Sequence, residues 1–166
     1  LVNRQKARKI TVSTFHSFAV KILRNWIGFL GYKKAFCIYT EQDKRSLIKK
    51  TINQYYSNLP SGFYTTSEFY ISNWKNRLLL PEDISGDEIE KEKEFYSYEI
   101  YKKYQISLKS LNAVDFDDLI LLAVKLFRDR SDVLSECRDK YKYLMVDEFQ
   151  DTNYAQYELI RLLSGE

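Results

Sequence analysis

The chain has 166 residues, enough for one domain with a sizeable core, and 45% of them are apolar, which excludes a disordered chain. Its net charge of +3 is unevenly spread: residues 1–80 hold fourteen Lys and Arg against three Asp and Glu, whereas residues 81–166 hold twelve against twenty. Such a split points to a basic part that meets a polyanion and an acidic part with another task, or to solvated helix faces of opposite sign.

Lys9-Ile10-Thr11-Val12-Ser13 is a β-branched run of strand character. From Thr14 the period changes: Phe15, Phe18, Ala19, Ile22, Leu23, Trp26, Ile27 and Leu30 recur at helical spacing, with Gly31 as the stop. Thr40 and Asp43, at capping-box spacing, open a second helix with Leu47, Ile48, Ile52 and Tyr55 as its apolar stripe. Ser57 to Gly62 reads as a loop. Thr65 and Glu68 suggest a box for a third helix that Pro81 would end near Leu80. Glu82 to Gly86 reads as a linker, and the charged segment from Asp87 to about Leu111 as an exposed helix with an irregular buried side of Ile89, Phe95, Tyr98, Tyr101 and Ile106. Asp115 and Asp118 flank the start of another helix, Ser131 to about Cys137 forms a short one, Tyr143-Leu144-Met145-Val146 has strand length, and a last helix starts near Asn153.

The sum is a mainly α chain with one candidate strand near each end. Two distant short strands make no stable sheet alone. They are therefore expected to belong to a larger sheet, with the helical middle inserted into it. Cys37 and Cys137 stand far apart, which argues against a zinc site or a disulfide framework and fits a reducing cytosol. No apolar run reaches about 18 residues, so no membrane span is expected. Leu1-Val2-Asn3-Arg4 does not read as a secretion leader.

The chemistry concentrates in the acids after the second candidate strand. A buried strand ending in Asp147-Glu148 would set two carboxylates at the carboxyl edge of a sheet, where ligands of open α/β sheets bind. Oxygen donors there suit Mg²⁺, and a second carboxylate can polarise an attacking water. The plainer alternative is surface acids that cap the next helix. Asp115, Asp117 and Asp118 are open in the same way, since a helix N-cap with acids in its first turn accounts for them without chemistry.

The longer string Val146-Asp147-Glu148-Phe149-Gln150-Asp151-Thr152-Asn153 resembles motif II, the Walker B element, of the UvrD/Rep/PcrA family of superfamily 1 DNA helicases. Thr14-Phe15-His16-Ser17 is similar to that family's TFHS motif, which borders the single-stranded DNA path, and Asp115-Phe116-Asp117-Asp118-Leu119 to its DFDDL motif. Weaker echoes are Ile38-Tyr39 followed by Asp43, and Lys75-Asn76 followed by Pro81. Tyr154 to Leu159 continues motif II as these helicases do.

The resemblance implies that residues 14–140 are the helical 1B subdomain and that residues 1–13 and 141–166 are pieces of the RecA-like 1A domain. It implies an ATP-driven motor that translocates on single-stranded DNA and unwinds duplex. Asp147 would bind Mg²⁺ through water and Glu148 would activate water at the nucleotide. Gln150 and Asp151 would link that site to neighbouring motifs. Thr14, Phe15, His16 and Ser17 would lie along the DNA strand. Expected partners are single-stranded and duplex DNA and the rest of a helicase chain (1A, 2A and 2B), in the bacterial cytoplasm near the nucleoid.

Basic residues outside the motifs add candidates for backbone contact: Lys33, Lys34, Lys44, Arg45, Lys49 and Lys50, with Lys75 beside Arg77. Phe63, Tyr64, Phe69, Tyr70 and Trp74 could stack bases or simply fill a helical core. No GxxxxGK[ST] loop occurs in the sequence. Without it the 166 residues are expected to hold neither ATP nor Mg²⁺ tightly and to hydrolyse nothing alone, supplying half of an ATPase site and DNA contacts to a parent protein. Other readings are the helicase part of an AddA/RecB-type helicase–nuclease, a stand-alone nucleic-acid-binding module, and a metal-dependent nuclease using Asp147, Glu148 and Asp151.

Overall fold

A computed structural model describes residues 10–60, 62–86 and 89–165. Among these it contains seven α-helices: α1 (Phe15–Trp26), α2 (Glu41–Tyr55), α3 (Phe63–Asn76), α4 (Glu92–Ser110), α5 (Phe116–Asp129), α6 (Ser131–Lys140) and α7 (Tyr154–Ser164). Two-residue strands β1 (Cys37–Ile38) and β2 (Ala113–Val114) pair in parallel, Cys37 opposite Ala113 and Ile38 opposite Val114. No described helix is long and apolar enough to cross a membrane.

Most helices begin where local chemistry tells them to. The Thr40 hydroxyl accepts from Asp43 N–H at 3.2 Å while Asp43 Oδ2 accepts from Thr40 N–H at 2.9 Å, a complete capping box for α2. Asp115 and Asp118 do the same for α5, and Asn153 and Gln156 for α7. After α1 the chain tightens into a 3-10 turn, Ile27–Leu30, and Gly31 stops it in the left-handed region at φ 78°.

α3 departs from expectation at both ends. It starts at Phe63, before the expected Thr65–Glu68 box, because the Phe63 ring is buried in the core and Glu68 is drawn to Arg45 at 3.0 Å. It ends at Asn76, well before Pro81. Leu79 N–H bonds Trp74 C=O and Leu78 N–H bonds Lys75 C=O, both at 2.9 Å, with Leu78 at φ 63°. This is the Schellman stop that glycine normally makes. The left-handed leucine costs about 1–2 kcal/mol, and its side chain offsets this by burying in the core.

The expected terminal strands are not formed. Lys9 lies outside the described residues, and Ile10 to Ser13 carry no strand, with Val12 88% exposed. Tyr143 to Val146 are unpaired, with Tyr143 at 94% and Met145 at 98% exposure. A strand needs a neighbour to accept its ladder bonds, and no described segment lies beside either run as one. The pair that does form, β1 and β2, is too short to leave a period in the sequence.

Two apolar cores result. The first joins α1 through Ala19, Ile22 and Leu23, α5 through Leu119 to Phe127, α6 through Val133 and Cys137, and α7 through Ala155, Leu159 and Leu163. The second joins α2, α3 and α4 through Ile48, Ile71, Trp74, Ile100, Tyr101 and Leu108. The β1–β2 pair sits where the chain leaves the first core for the second and where it returns. α7 shares a core with α1, α5 and α6, so one continuous core runs across the expected boundary at residue 140.

Phe127 is fully enclosed in the first core. Phe127→Ala is expected to cost about 3–5 kcal/mol of unfolding free energy, read from the urea midpoint. Ile106→Ala, at an exposed position, should stay within about 0.5 kcal/mol. Equal shifts for the two would contradict the assigned core.

Candidate functional site

Three groups of side chains stand out: the start of α1, the first turn of α5, and the acidic turn before α7. At the first, Thr14 caps α1, its hydroxyl accepting from Ser17 N–H at 3.2 Å. Thr14 and Ser17 are exposed, and Phe15 leans into the first core. The His16 ring stacks on Phe116, centroids 3.7 Å apart and planes 19° off parallel. Partial burial lowers the His16 pKa, against an opposing pull from Asp117. The imidazole at neutral pH is therefore uncharged and offers one N–H donor rather than a cation. The helix N-terminus itself points further backbone donors outward.

The first turn of α5 is an ionic hub. Asp118 N–H donates to Asp115 Oδ1 at 2.8 Å and Asp115 N–H to Asp118 Oδ2 at 3.1 Å. The remaining oxygens, Asp115 Oδ2 and Asp118 Oδ1, each lie 2.7 Å from Lys75 Nζ, and all three side chains are 0% exposed. Tyr104 donates its hydroxyl to Asp115 at 2.8 Å and Gln105 its amide to Asp118 at 3.1 Å. Asp117 Oδ2 accepts from Lys44 Nζ and from the Ser72 hydroxyl, both at 2.7 Å.

Three carboxylates share two ammonium groups, and the titration reflects it. Burial opposes the charge of Asp115, but Lys75 and then Lys44 outweigh it and hold Asp115 below the ordinary carboxylate range. Burial and the neighbouring Asp115 push Asp118 up to about 6. Burial works against the Lys75 charge too, yet Asp115 and Asp118 raise its pKa above the usual lysine value.

This corrects two expectations. Lys75 is enclosed by the carboxylates of α5, with no face left for a phosphate, and Lys44 is only 2% exposed. Lys33 and Lys34 are exposed in the loop before β1 and remain available to a polyanion. Arg45 pairs with Glu68, and Lys49 sits 4.1 Å over the Tyr64 ring. Of the aromatic cluster, Phe63 and Trp74 are core, Tyr64 and Tyr70 pack against it, and Phe69 is exposed.

The third group follows the unpaired run. Asp147 Oδ1 accepts from Glu148 N–H at 3.1 Å, and Glu148 itself adopts φ 50°, a strained left-handed conformation for a side-chain-bearing residue. Gln150 donates its amide to the Glu148 carboxylate. A 3-10 turn, Phe149–Asp151, carries the chain into α7. Asp147, Glu148 and Gln150 are thus together and exposed. Among the described residues no cluster of three or more potential ligands could hold a metal unaided. Two carboxylates completed by substrate phosphates are a sufficient donor set for Mg²⁺. No hydrogen bond or ion pair joins this pair directly to His16.

α7 is pinned at its middle and at its start. Glu158, nearly buried, takes Arg161 Nε at 2.7 Å and Arg128 of α5 at 2.8 Å. The hydrogen bond from Arg161, with help from Arg128, lowers its pKa to about 2. At the start Asn153 Nδ2 donates to Asn76 Oδ1 of α3 at 2.8 Å. Sequence reasoning did not assign roles to Phe116, Ser72 and Asn76. The Lys75-Asn76 pair echoes a family pattern, whereas Ser72 carries no signal of its own.

A family model for the UvrD/REP helicase N-terminal domain matches residues 1–166. The chain is 42% identical over 160 residues to the ATP-dependent DNA helicase Rep of Buchnera aphidicola subsp. Baizongia pistaciae, covering 95% of the chain and 23% of that protein. It is 41% identical over 166 residues to the ATP-dependent DNA helicase PcrA of Leuconostoc citreum, covering 99% and 22%. Against Rep of Escherichia coli K12 it is 35% identical over 167 residues, covering 99% and 24%. The chain thus spans less than a quarter of the length of each of these relatives.

Removing the shared cation tests the hub. Lys75→Ala is expected to lower stability by about 3–5 kcal/mol near neutral pH, since two buried carboxylates lose their partner. Both would then titrate above their unfolded values, so the loss grows as pH rises and shrinks as it falls. The urea midpoint of the variant should recover between about pH 8 and about pH 5. A variant as stable as the parent, or weaker in acid, would count against the arrangement.

Proposed function

Since the chain belongs to the UvrD/REP helicase N-terminal domain family, we propose that it is a segment of an ATP-dependent DNA helicase, supplying DNA contacts and the Walker B half of the ATPase site. The observation that carries this reading is the exposed Asp147–Glu148 pair within Val146-Asp147-Glu148-Phe149-Gln150-Asp151-Thr152-Asn153. Its relatives Rep and PcrA are named as ATP-dependent DNA helicases.

In this reading Asp147 would hold Mg²⁺ through water, and the ion would supply positive charge to the phosphates of ATP. Glu148 accepts hydrogen bonds from the attacking water. Its left-handed backbone sets the carboxylate outward, and the Gln150 amide holds that carboxylate in place. Thr14, Phe15, His16 and Ser17 form the DNA-facing start of α1, where backbone donors, two hydroxyls and a neutral imidazole suit a phosphate without reading sequence. Lys33 and Lys34 add salt-dependent attraction. We assign residues 14–140 to the inserted 1B subdomain and the flanks to 1A, with the remaining motor subdomains as partners in a bacterial cytoplasm.

The exposed apolar side chains Leu144, Met145 and Phe149 support a missing neighbour, for a stable surface rarely leaves such a group uncovered. A sheet of the 1A type would give them one.

Phosphate release with single-stranded DNA tests the reading. In the full-length protein Glu148→Gln is expected to cut turnover by at least about 10²-fold while ATP binding persists. The 166-residue segment alone should release none above background. Turnover by the isolated segment that Glu148→Gln abolishes would sink the half-site assignment.

A further inference from the structure

We propose that Asn76 is a positioning residue that links the Asp147–Glu148 turn to the His16 end of α1. The inference rests on the proposed ATPase role of that turn. Asn153 is the first contact: its Oδ1 caps α7 by accepting from Gln156 N–H at 2.9 Å, and its Nδ2 donates to Asn76 Oδ1 at 2.8 Å. Asn76 Nδ2 donates to Ser72 C=O at 2.8 Å, which fixes the end of the amide that faces Asn153. The Ser72 hydroxyl donates to Asp117 Oδ2 at 2.7 Å. Asp117 follows Phe116, and Phe116 stacks on His16.

The path runs from Asn153 through Asn76, the Ser72 carbonyl and hydroxyl, Asp117 and its chain neighbour Phe116 to His16. Asn153, Asn76, Ser72 and Asp117 are short side chains with few rotamers, and Ser72 and Asn76 are one turn apart on the same helix. On the other side, Asn153 connects to Glu148 through the 3-10 turn, in which Asp151 N–H bonds Glu148 C=O at 2.9 Å and Thr152 N–H bonds Phe149 C=O at 3.2 Å. A displacement of the α7 N-terminus therefore reaches the Glu148 backbone within one turn. One turn further on, Glu158 ties α7 to Arg128 of α5, which opposes a shift of the whole helix.

The Asn76–Asn153 bond is poorly placed to serve stability. It is a neutral amide pair near the surface, where water competes for both partners. The buried hub already holds α3 to α5 without it. Its particular effect is to join the helical insertion to the start of α7, so that a ligand at His16 and a nucleotide at Asp147–Glu148 bias the same contact.

The test uses the full-length protein and a single-stranded oligonucleotide. Asn76→Ala removes the acceptor. Asn153→Ser keeps a good helix cap but has no amide to reach α3. For Asn76→Ala we expect DNA-free turnover and DNA affinity within about twofold of the parent, and for both variants a ratio of DNA-stimulated to DNA-free kcat reduced roughly threefold to tenfold. The double variant should be no worse than either single, because both remove one bond. Unchanged stimulation in both variants overturns the inference. So does a fall in DNA-free turnover of the same proportion, which would make the bond a general support of the fold, and so do effects that add in the double variant. A parent protein without any DNA-stimulated turnover overturns instead the functional reading on which the link depends.

Discussion

Everything in this fold turns on one ammonium group shared by two carboxylates with no access to water. Taking Lys75, Asp115 and Asp118 out of solvent is costly, and their attraction balances that cost only while every oxygen and proton keeps its partner. The two capping bonds, Tyr104 and Gln105 supply those partners. What the arrangement yields is register more than stability. Lys44 comes from α2, Lys75 and Ser72 from α3, Tyr104 and Gln105 from α4, and all of them end on the first turn of α5. An apolar core of α2–α4 could slide or rotate against α5 at little cost. The hub allows one position, since any other leaves a charge buried alone.

α5 consequently has two specialised ends around an apolar shaft. Its residues from Leu119 to Phe127 are almost all buried, as befits a helix surrounded by others. Its N-terminus carries the hub and, on the outer side, the Phe116 ring under His16. Its C-terminus offers Arg128 to Glu158 of α7. The candidate DNA-facing residues and the helix after the acidic turn are therefore attached to opposite ends of one rigid element, while Asn76 provides a second attachment from α3. With the core packing of Ala155, Leu159 and Leu163 and the bonds from Arg138 to Leu162 C=O, these attachments constrain rotation as well as translation of α7.

The parts legible in the sequence were those whose cause is local. Thr40 with Asp43, Asp115 with Asp118, and Asn153 with Gln156 announce their helices because a cap needs only three neighbouring residues. The buried side of α1 was readable because its period is 3.6. Leu78 was not, since a left-handed leucine has no signature and only burial after folding makes it tolerable. Nor was β1–β2, joined across some 75 positions by two residues a side. Tyr143 to Val146 have strand composition without a strand, because pairing depends on a neighbour that composition does not report. At the candidate site, the acidic turn and the start of α1 were identified through their motifs, whereas the Phe116 stack and the Asn76 bridge depend on tertiary approach.

Lys75 shows why charge alone misleads. It lies in the basic half of the chain, near aromatic residues and beside Arg77, and reads as a phosphate ligand. The same features describe a lysine awaiting an internal counter-ion. The charge asymmetry of the sequence is in part this pairing seen before folding: Lys44 and Lys75 from the basic half meet Asp115, Asp117 and Asp118 from the acidic half, five charges that do not act as a free surface field. What remains outside is narrower and better placed. Lys33 and Lys34 are exposed in the loop that follows α1, and the neutral His16 stands at its start. A strand of nucleic acid drawn in by the lysines would meet at His16 a donor without charge, so the contact there would depend on position more than on salt. That is the kind of contact a bonded relay such as Phe116–Asp117–Ser72–Asn76 could sense, because it is made or lost with geometry rather than with distance.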